Sequence, residues 1–343
     1  MSPASTSSLT VIVTGGAGYI GSHACKALAG RGYEPVTYDN LSIGNRWAVR
    51  WGPLERGDII DPCRLHEVFK KYRPVGVLHF AALALVGESM QAPALYYRTN
   101  VAGAQNVLDA CRVHEVPAFV FSSTCAVYGV PEIVPIKEET PTLPINPYGA
   151  SKLMVERILA DYERAYGLRH MALRYFNAAG ADPDGELGET RDVETHLVPL
   201  ALDALLGRRP PLRIFGDDYP TPDGTAIRDY IHVSDLADAH VGALDLLLAG
   251  ESSRRVNLGT GHGYSVRQIL DAAAEVAGRA VPYEVAARRP GDPAELVADP
   301  RKALALFGRD LTRRSDLATI MRTAWAWHLR QANVSGERHV GPL

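Results

Sequence analysis

Tyr148 and Lys152 stand four residues apart in the run Asn146-Pro147-Tyr148-Gly149-Ala150-Ser151-Lys152. On a helix that spacing places a phenol and an ammonium on one face, one turn apart. A free tyrosine has a pKa of about 10, and a fixed cation nearby favours its phenolate, so the pair is a candidate general base. Leu153, Met154, Val155, Ile158, Leu159 and Tyr162 continue a helical pattern, with Asn146 suited to cap it and Pro147 to its first turn. An exposed tyrosine beside a solvated lysine would show the same spacing. The surroundings decide.

The chain opens with Leu9-Thr10-Val11-Ile12-Val13-Thr14, an apolar run typical of a buried parallel strand. Gly15-Gly16-Ala17-Gly18-Tyr19-Ile20-Gly21 follows, then a helical pattern at Ile20, Ala24, Ala27 and Leu28. Gly15, Gly18 and Gly21 supply a tight turn, a close approach of backbone to a pyrophosphate and close helix–strand packing, with the helix N-terminus facing the anion. A second strand, Pro35-Val36-Thr37-Tyr38, ends in Asp39, 18 residues after Gly21, where an acid meets the adenosine ribose hydroxyls. Asp39 would repel a 2′-phosphate and no arginine follows it immediately, which favours NAD over NADP.

The strand–helix alternation continues through residues 54–59, a helix over 65–72, a buried strand over 75–82, a long helix over 93–114, and a strand over 118–123. The helix headed by Tyr148 and a strand over 170–175 follow. This pattern predicts an α/β fold with a doubly wound parallel sheet. After Phe176-Asn177 glycine, proline and aspartate accumulate over 181–188 and 217–224, marking long loops. Helices are expected over 194–206, 235–248, 266–277 and 316–329, with strands at 230–233, 256–258 and 281–286. Residues 8–180 thus read as the dinucleotide-binding domain and 181–330 as a smaller, partly interleaved substrate domain, with about 228–260 returning to the main sheet. Residues 1–7 and 331–343 read as loose tails.

At 343 residues and a formal charge of −3, with its basic residues dispersed, the chain is a poor candidate for nucleic acid or an anionic membrane surface. Cys25, Cys63, Cys111 and Cys125 show no C-x-x-C spacing, so free thiols are expected and no metal site. Met1 to Ser8 lacks a basic and an apolar segment, and no apolar run is long enough to span a bilayer, so a cytoplasmic location is expected.

Five motifs in order now carry a resemblance: Thr14 to Gly21, Ser122-Ser123-Thr124-Cys125-Ala126-Val127-Tyr128-Gly129, Tyr148 with Lys152, Arg174-Tyr175-Phe176-Asn177, and Arg228-Asp229-Tyr230-Ile231-His232-Val233. The chain resembles the extended short-chain dehydrogenase/reductase superfamily, which has a Rossmann fold, and within it the UDP-glucose 4-epimerases, from about Leu9 to Leu329. The resemblance implies that Tyr148 removes the proton from the sugar 4-hydroxyl while C4 gives a hydride to tightly held NAD. Lys152 would assist the tyrosine and hold the nicotinamide ribose, and Thr124 would bond the oxygen at C4. It further implies cofactor contacts at Gly15, Gly18, Tyr19, Ile20, Gly21, Asp39, Asn40, Asp58, Ile59, Phe80, Ala81, Ala82, Asn100, Ser122, Ser123 and Tyr175. Contacts to a UDP-sugar fall on Phe176, Asn177, His196, Leu197, Ile214, Phe215, Arg228, Tyr230, Arg289, Asp292 and Leu296, with the arginines suited to pyrophosphate.

Relatives that dehydrate or decarboxylate the sugar carry acids directly after the threonine. Here those positions are Cys125 and Ala126, which leaves oxidation and reduction alone. His79 reads as a core histidine. Ala84 stands where many 4-epimerases have lysine, and Thr124 where others have serine. Leu296 stands where strict glucose/galactose enzymes have tyrosine and N-acetylhexosamine enzymes a small residue, so N-acetylhexosamine or xylose/arabinose substrates stay open. A nucleotide-sugar ketoreductase and a non-catalytic NAD sensor are the competing readings. The family also suggests a homodimer through the helices at 93–114 and 148–167.

Overall fold

A computed structural model describes residues 9–289 and 291–337. The chain begins β1 (Leu9–Thr14), α1 (Tyr19–Gly30), β2 (Tyr33–Asp39), β3 (Leu54–Arg56), α2 (Pro62–Tyr72), β4 (Gly76–His79), α3 (Val86–Gln91) and α4 (Pro93–Tyr96). The predicted long helix is then interrupted: Tyr97–Ala102 is a π turn before α5 (Gly103–Val113). β5 (Ala118–Thr124), α6 (Pro147–Tyr166) and β6 (Arg169–Tyr175) follow. α6 starts where its sequence says it should. The Asn146 side chain accepts from the Gly149 amide at 2.8 Å, Pro147 takes the first position, and Gly167 closes the helix in the left-handed region at φ 73°.

The chain continues with β7 (Asn177–Ala179), α7 (Leu197–Leu205), β8 (Leu212–Phe215), β9 (Ile227–His232), α8 (Val233–Leu248) and β10 (Arg254–Leu258). It ends with β11 (Gly263–Ser265), α9 (Val266–Ala277), β12 (Tyr283–Ala286), β13 (Glu295–Leu296), α10 (Arg301–Phe307) and α11 (Leu317–Glu337). α9 begins on a reciprocal cap, Ser265 with Gln268. The expected loose tail from 331 is helical as far as Glu337, whereas the tail at 1–7 lies outside the described residues.

Seven strands form the main sheet in the order β10-β6-β5-β4-β1-β2-β3, with the pairs from β3 to β5 parallel. That is the doubly wound order. The strand sequence reverses between β1 and β4, and ligands of such sheets bind beyond the strand ends at that reversal. Of the stretch 228–260, β10 lies beside β6 at the edge of the main sheet. β9 instead pairs with β7, β11 and β13 in a separate sheet, and β8 pairs with β12.

Two compact units result. One comprises the chain up to Gly129, Thr142–Arg174 and Ala237–Val256. Its core joins Ile12, Val36, Leu65, Phe69, Val107, Phe119, Val155 and Leu159, all buried. The other comprises Val130–Pro141, Tyr175–Leu236 and the chain from Asn257. Val198, Leu202, Leu212, Ile214, Tyr230, Ile269 and Ile320 make its core. The interleaving is therefore finer than a cut at residue 180. No helix among the described residues is long and apolar enough to cross a membrane.

Candidate active site

In the first unit β1 delivers Gly15 at φ 72°, a backbone conformation costly for any residue with a Cβ. A Cβ there would also lie 2.6 Å from the Ala81 amide nitrogen, at the end of β4. The turn closes on itself, the Gly18 amide donating to the Gly15 carbonyl at 3.1 Å. Gly18 then caps α1 and has no side chain of its own to bond the first-turn amides, and no acid sits in that turn. Tyr19 and Ile20 open the helix, half-buried. A helix N-terminus over a glycine floor suits a pyrophosphate.

At the end of β2, Asp39 is buried and accepts from the amides of Ala17 at 3.0 Å and Leu41 at 2.8 Å. Burial pushes its carboxyl up, and those two amides act against the shift. Beside it Asn40 donates to Asp58 at 3.0 Å, both exposed. Ile59 is different: its side chain lies in the core. Phe80, Ala81 and Ala82 are half-buried beyond β4, Phe80 tilted against the His240 ring. Asn100 spends its amide on Leu83, through both main-chain groups, and on the Ser151 hydroxyl. It thus works as a clamp between the π turn and α6. His79 is a core histidine, paired with Thr14 at 2.7 Å and held down to about 3 by burial and then by Lys152.

Thr124 ends β5, buried, its hydroxyl accepting from the Ala126 amide at 3.1 Å. Tyr148 is half-buried in the first turn of α6. Lys152 is buried with Nζ donating to the Ser122 carbonyl at 2.8 Å and 5.0 Å from the Phe121 ring centroid. Burial pulls its ammonium down to about 7. An ammonium has three donors, so a ligand hydroxyl pair would find partners on Nζ. The glycine turn, the buried acid after β2 and this buried lysine together fit a dinucleotide.

Glu156, absent from the sequence reading, and Arg174, quoted there in a motif but given no role, hold this arrangement. Glu156, one turn beyond Lys152, accepts from the Ser123 hydroxyl at 2.6 Å and meets Arg174 in a fork, at 2.9 and 2.5 Å. Arg174 also donates to the Tyr128 phenol at 2.9 Å. Burial works against the guanidinium charge, but Glu156 offsets it and holds the arginine protonated. The repeat Tyr148, Lys152, Glu156 at four-residue steps was the available signal.

In the second unit Arg228 donates to Asp292 at 2.5 Å, and Leu296 pairs with Arg228 across β13 and β9. The Arg289 guanidinium lies 4.0 Å over the Phe215 ring. Asn177 donates to the Asp229 carbonyl at 3.0 Å, beside buried Phe176 and half-buried Tyr175. His196 caps α7 and Leu197 opens it. Ile214 and Tyr230 point into the hydrophobic core, and burial pushes the Tyr230 phenol up to about 12. Only their main chain is left for a ligand. All four cysteines are free thiols, with Cys25 and Cys111 buried, Cys125 half-buried and Cys63 exposed.

A seven-stranded doubly wound sheet with a glycine turn at its reversal and a buried lysine behind a tyrosine defines a dinucleotide-dependent short-chain dehydrogenase-like protein. The chain belongs to the NAD-dependent epimerase/dehydratase family, whose sequence model matches residues 11–259. It is 53% identical over 321 residues to the UDP-glucose 4-epimerase of Rhizobium leguminosarum bv. trifolii, covering 94% of this chain and 98% of that one. Its identity to the UDP-glucose 4-epimerase of Rhizobium meliloti strain 1021 is 52%, over 94% and 97%. The crystal structure of UDP-glucose 4-epimerase from Brucella ovis in complex with NAD superposes with a TM-score of 0.91 at 56% identity, covering 93% and 98%.

Proposed function

We propose that this chain is a UDP-glucose 4-epimerase, interconverting UDP-galactose and UDP-glucose through a transient 4-keto sugar. The observation that carries the reading is its 53% identity, over 94% of its length, to a curated enzyme of that activity. Thr124, Tyr148 and Lys152 supply the groups such a reaction needs. Bound NAD accepts a hydride from C4 and returns it, so no cofactor is consumed. The phenolic oxygen of Tyr148 takes the proton of the 4-hydroxyl and later gives it back. Lys152 favours the phenolate by its charge and offers its remaining N–H groups to the nicotinamide ribose. The Thr124 hydroxyl bonds the oxygen at C4 and keeps it aligned with the tyrosine. Neither Cys125 nor Ala126 can serve as the acid that water elimination would need, so the keto sugar returns as an epimer. The first unit is assigned the dinucleotide. The second is assigned UDP, through Asn177, His196, Leu197, Phe215, Arg228, Arg289 and Asp292.

We further infer a homodimer in the cytoplasm, on the family pattern. Leu296, half-buried beside Arg228, favours a second reading in which 2-acetamido or pentose sugars also turn over. The test gives purified protein UDP-galactose without added NAD and follows UDP-glucose, with UDP-N-acetylgalactosamine and UDP-arabinose in parallel. Turnover of UDP-galactose without added cofactor is expected. Protein that binds NAD(H) only in passing, and needs it added in stoichiometric amounts, would be a ketoreductase instead.

A further inference from the structure

The segment that follows β4 stands at the reversal of the main sheet, between β1 and β4, where the dinucleotide belongs. Its first residues are fastened to the glycine turn, the Phe80 and Ala81 amides donating to the Thr14 carbonyl at 2.9 and 3.0 Å. Leu83 to Leu85 then run outside any strand or helix until α3 begins. α3 is short, and its cap residue, Leu85, makes no side-chain cap bond. The main-chain groups of this stretch have to find their partners elsewhere.

Two side chains supply them, four residues apart where α4 passes into the π turn. Asn100 takes both main-chain groups of Leu83, at 2.8 and 3.0 Å. Tyr96 does the same for Leu85, its phenol accepting from the amide at 2.9 Å and lying 2.7 Å from the carbonyl oxygen. The Glu88 carboxylate is 2.7 Å away as well, and a single O–H donates to only one of these oxygens at a time. Tyr96 is fully buried; burial, and after it Glu88, push the pKa of the phenol up, which keeps it a donor. The two anchors differ in what else they hold. Asn100 donates to the Ser151 hydroxyl at 3.0 Å, and Ser151 to the Tyr148 carbonyl at 2.7 Å, which ties it to the catalytic helix. Among the described residues the Tyr96 phenol bonds only Leu85 and Glu88.

We propose that Tyr96 is a positioning residue for NAD: by fixing the main chain at Leu85 it keeps the segment beyond β4 rigid and so slows release of the cofactor. A stretch held by two side chains frays when one lets go, and a frayed wall has to be ordered again at the expense of binding. The phenol acts through Leu85 and needs no contact with the dinucleotide. Its action is on retention, and not on the proton and hydride transfers that belong to α6 and β5. The proposal rests on the reading of the first unit as the dinucleotide unit, and not on the sugar assigned to the second.

The test is Tyr96→Phe in the full-length holoenzyme, a change that removes one oxygen and leaves the ring. NAD release into cofactor-free buffer is followed without sugar, by absorbance of the filtrate, with the melting temperature and kcat for UDP-galactose read beside it. Release should be about three- to tenfold faster, with kcat within about twofold once NAD is supplied in excess. Glu88→Gln still offers the phenol an acceptor and spares both contacts to Leu85, so it should release NAD within about twofold of the wild-type rate. A lower melting temperature with release unchanged would overturn the proposal. So would a fall in kcat at unchanged release, or a Glu88→Gln that matches Tyr96→Phe. A second measurement needs no variant: amide exchange over residues 83–88 of the wild type should stay slow when NAD is stripped. Fast exchange there would mean that the cofactor and not the phenol orders the segment, which also overturns the proposal. Because no sugar enters the release assay, a protein that keeps NAD but fails to epimerise would refute the reaction assigned above without touching Tyr96. A wild-type protein that never holds NAD would overturn both.

Discussion

Lys152 on α6 donates from Nζ to the main-chain carbonyl of Ser122 on β5 at 2.8 Å, and both residues are buried. One turn along the helix Glu156 takes the hydroxyl of the next strand residue, Ser123, at 2.6 Å. The helix that carries the tyrosine is therefore pinned, residue against residue, to the strand that carries Thr124. Two polar attachments in an otherwise apolar seam leave a single register in which all of them are satisfied.

The second attachment makes the first measurable prediction. Glu156 is 1% exposed and Arg174 likewise 1%, so neutralising Glu156 leaves the guanidinium buried without its carboxylate. Glu156→Gln should lower the unfolding free energy by about 3–5 kcal/mol. Ser123→Ala, which leaves the ion pair intact, should cost about 1 kcal/mol. Urea unfolding of the three proteins checks the order; equal stability of wild type and Glu156→Gln would overturn it, since Arg255, 3.4 Å from the same carboxylate, is a second cation and cannot replace the lost charge.

The glycine turn gives the second prediction. A Cβ on Gly21 would sit 2.3 Å from the Gly15 carbonyl oxygen, and main chain cannot swing aside as a flexible side chain can. Gly21→Ala should push α1 away from β1 and weaken the hold on NAD. Gly15→Ala adds a strained φ to a clash with Ala81 and should be the worse of the two. The ratio of absorbance at 260 to 280 nm of each purified variant reports retained dinucleotide, and both are expected to lose it.

Most of the first unit was legible because its signals are local. A buried strand, a glycine turn and an acid at the end of the next strand are written within Leu9 to Asp39, and the cap Asn146-Pro147 within two residues of Tyr148. β9 was misplaced because a short strand of mixed burial carries no mark of the sheet it joins; pairing with β7, β11 and β13 is a long-range fact. Ile214 and Tyr230 show the same limit at side-chain scale. Alternation along β8 and β9 puts one face in the core, and the sequence does not say which face a ligand would see. Arg174 and Glu156 lie 18 residues apart, a spacing that does not announce the pair, and only the four-residue step from Lys152 pointed to Glu156.

Thr124 separates two roles of one hydroxyl. It accepts from the Ala126 amide at 3.1 Å and, in the proposed reaction, bonds the oxygen at C4. Thr124→Ser keeps both and should retain kcat within about threefold. Thr124→Val keeps the shape but neither bond; it should lose about 1 kcal/mol of stability with the cap and 10²-fold or more of kcat. Steady-state rates with UDP-galactose, beside a thermal melt of each variant, separate the two losses.

Lys152 carries the largest conflict between stability and chemistry. Burial draws its ammonium from 10.5 down to about 7. Between those values the unfolded chain holds a proton that the native protein lacks, so this group makes stability rise with pH across that window. Below about pH 7 both states are protonated and the full cost of burying the charge is present, on the order of 3–5 kcal/mol. Lys152→Met does not titrate and loses the bond to the Ser122 carbonyl and the cation's contact with the Phe121 ring. With NAD removed from both proteins, the methionine variant should be the more stable at pH 6 to 7, by about 2–4 kcal/mol once that lost bond is counted. Its advantage should shrink steadily toward pH 10, and its epimerase rate should fall at least 10²-fold. Denaturant unfolding of the pair at pH 6, 8 and 10 measures the difference. An advantage that stays constant with pH would mean that native and unfolded chains hold the same proton across the range, so that burial does not draw this ammonium down.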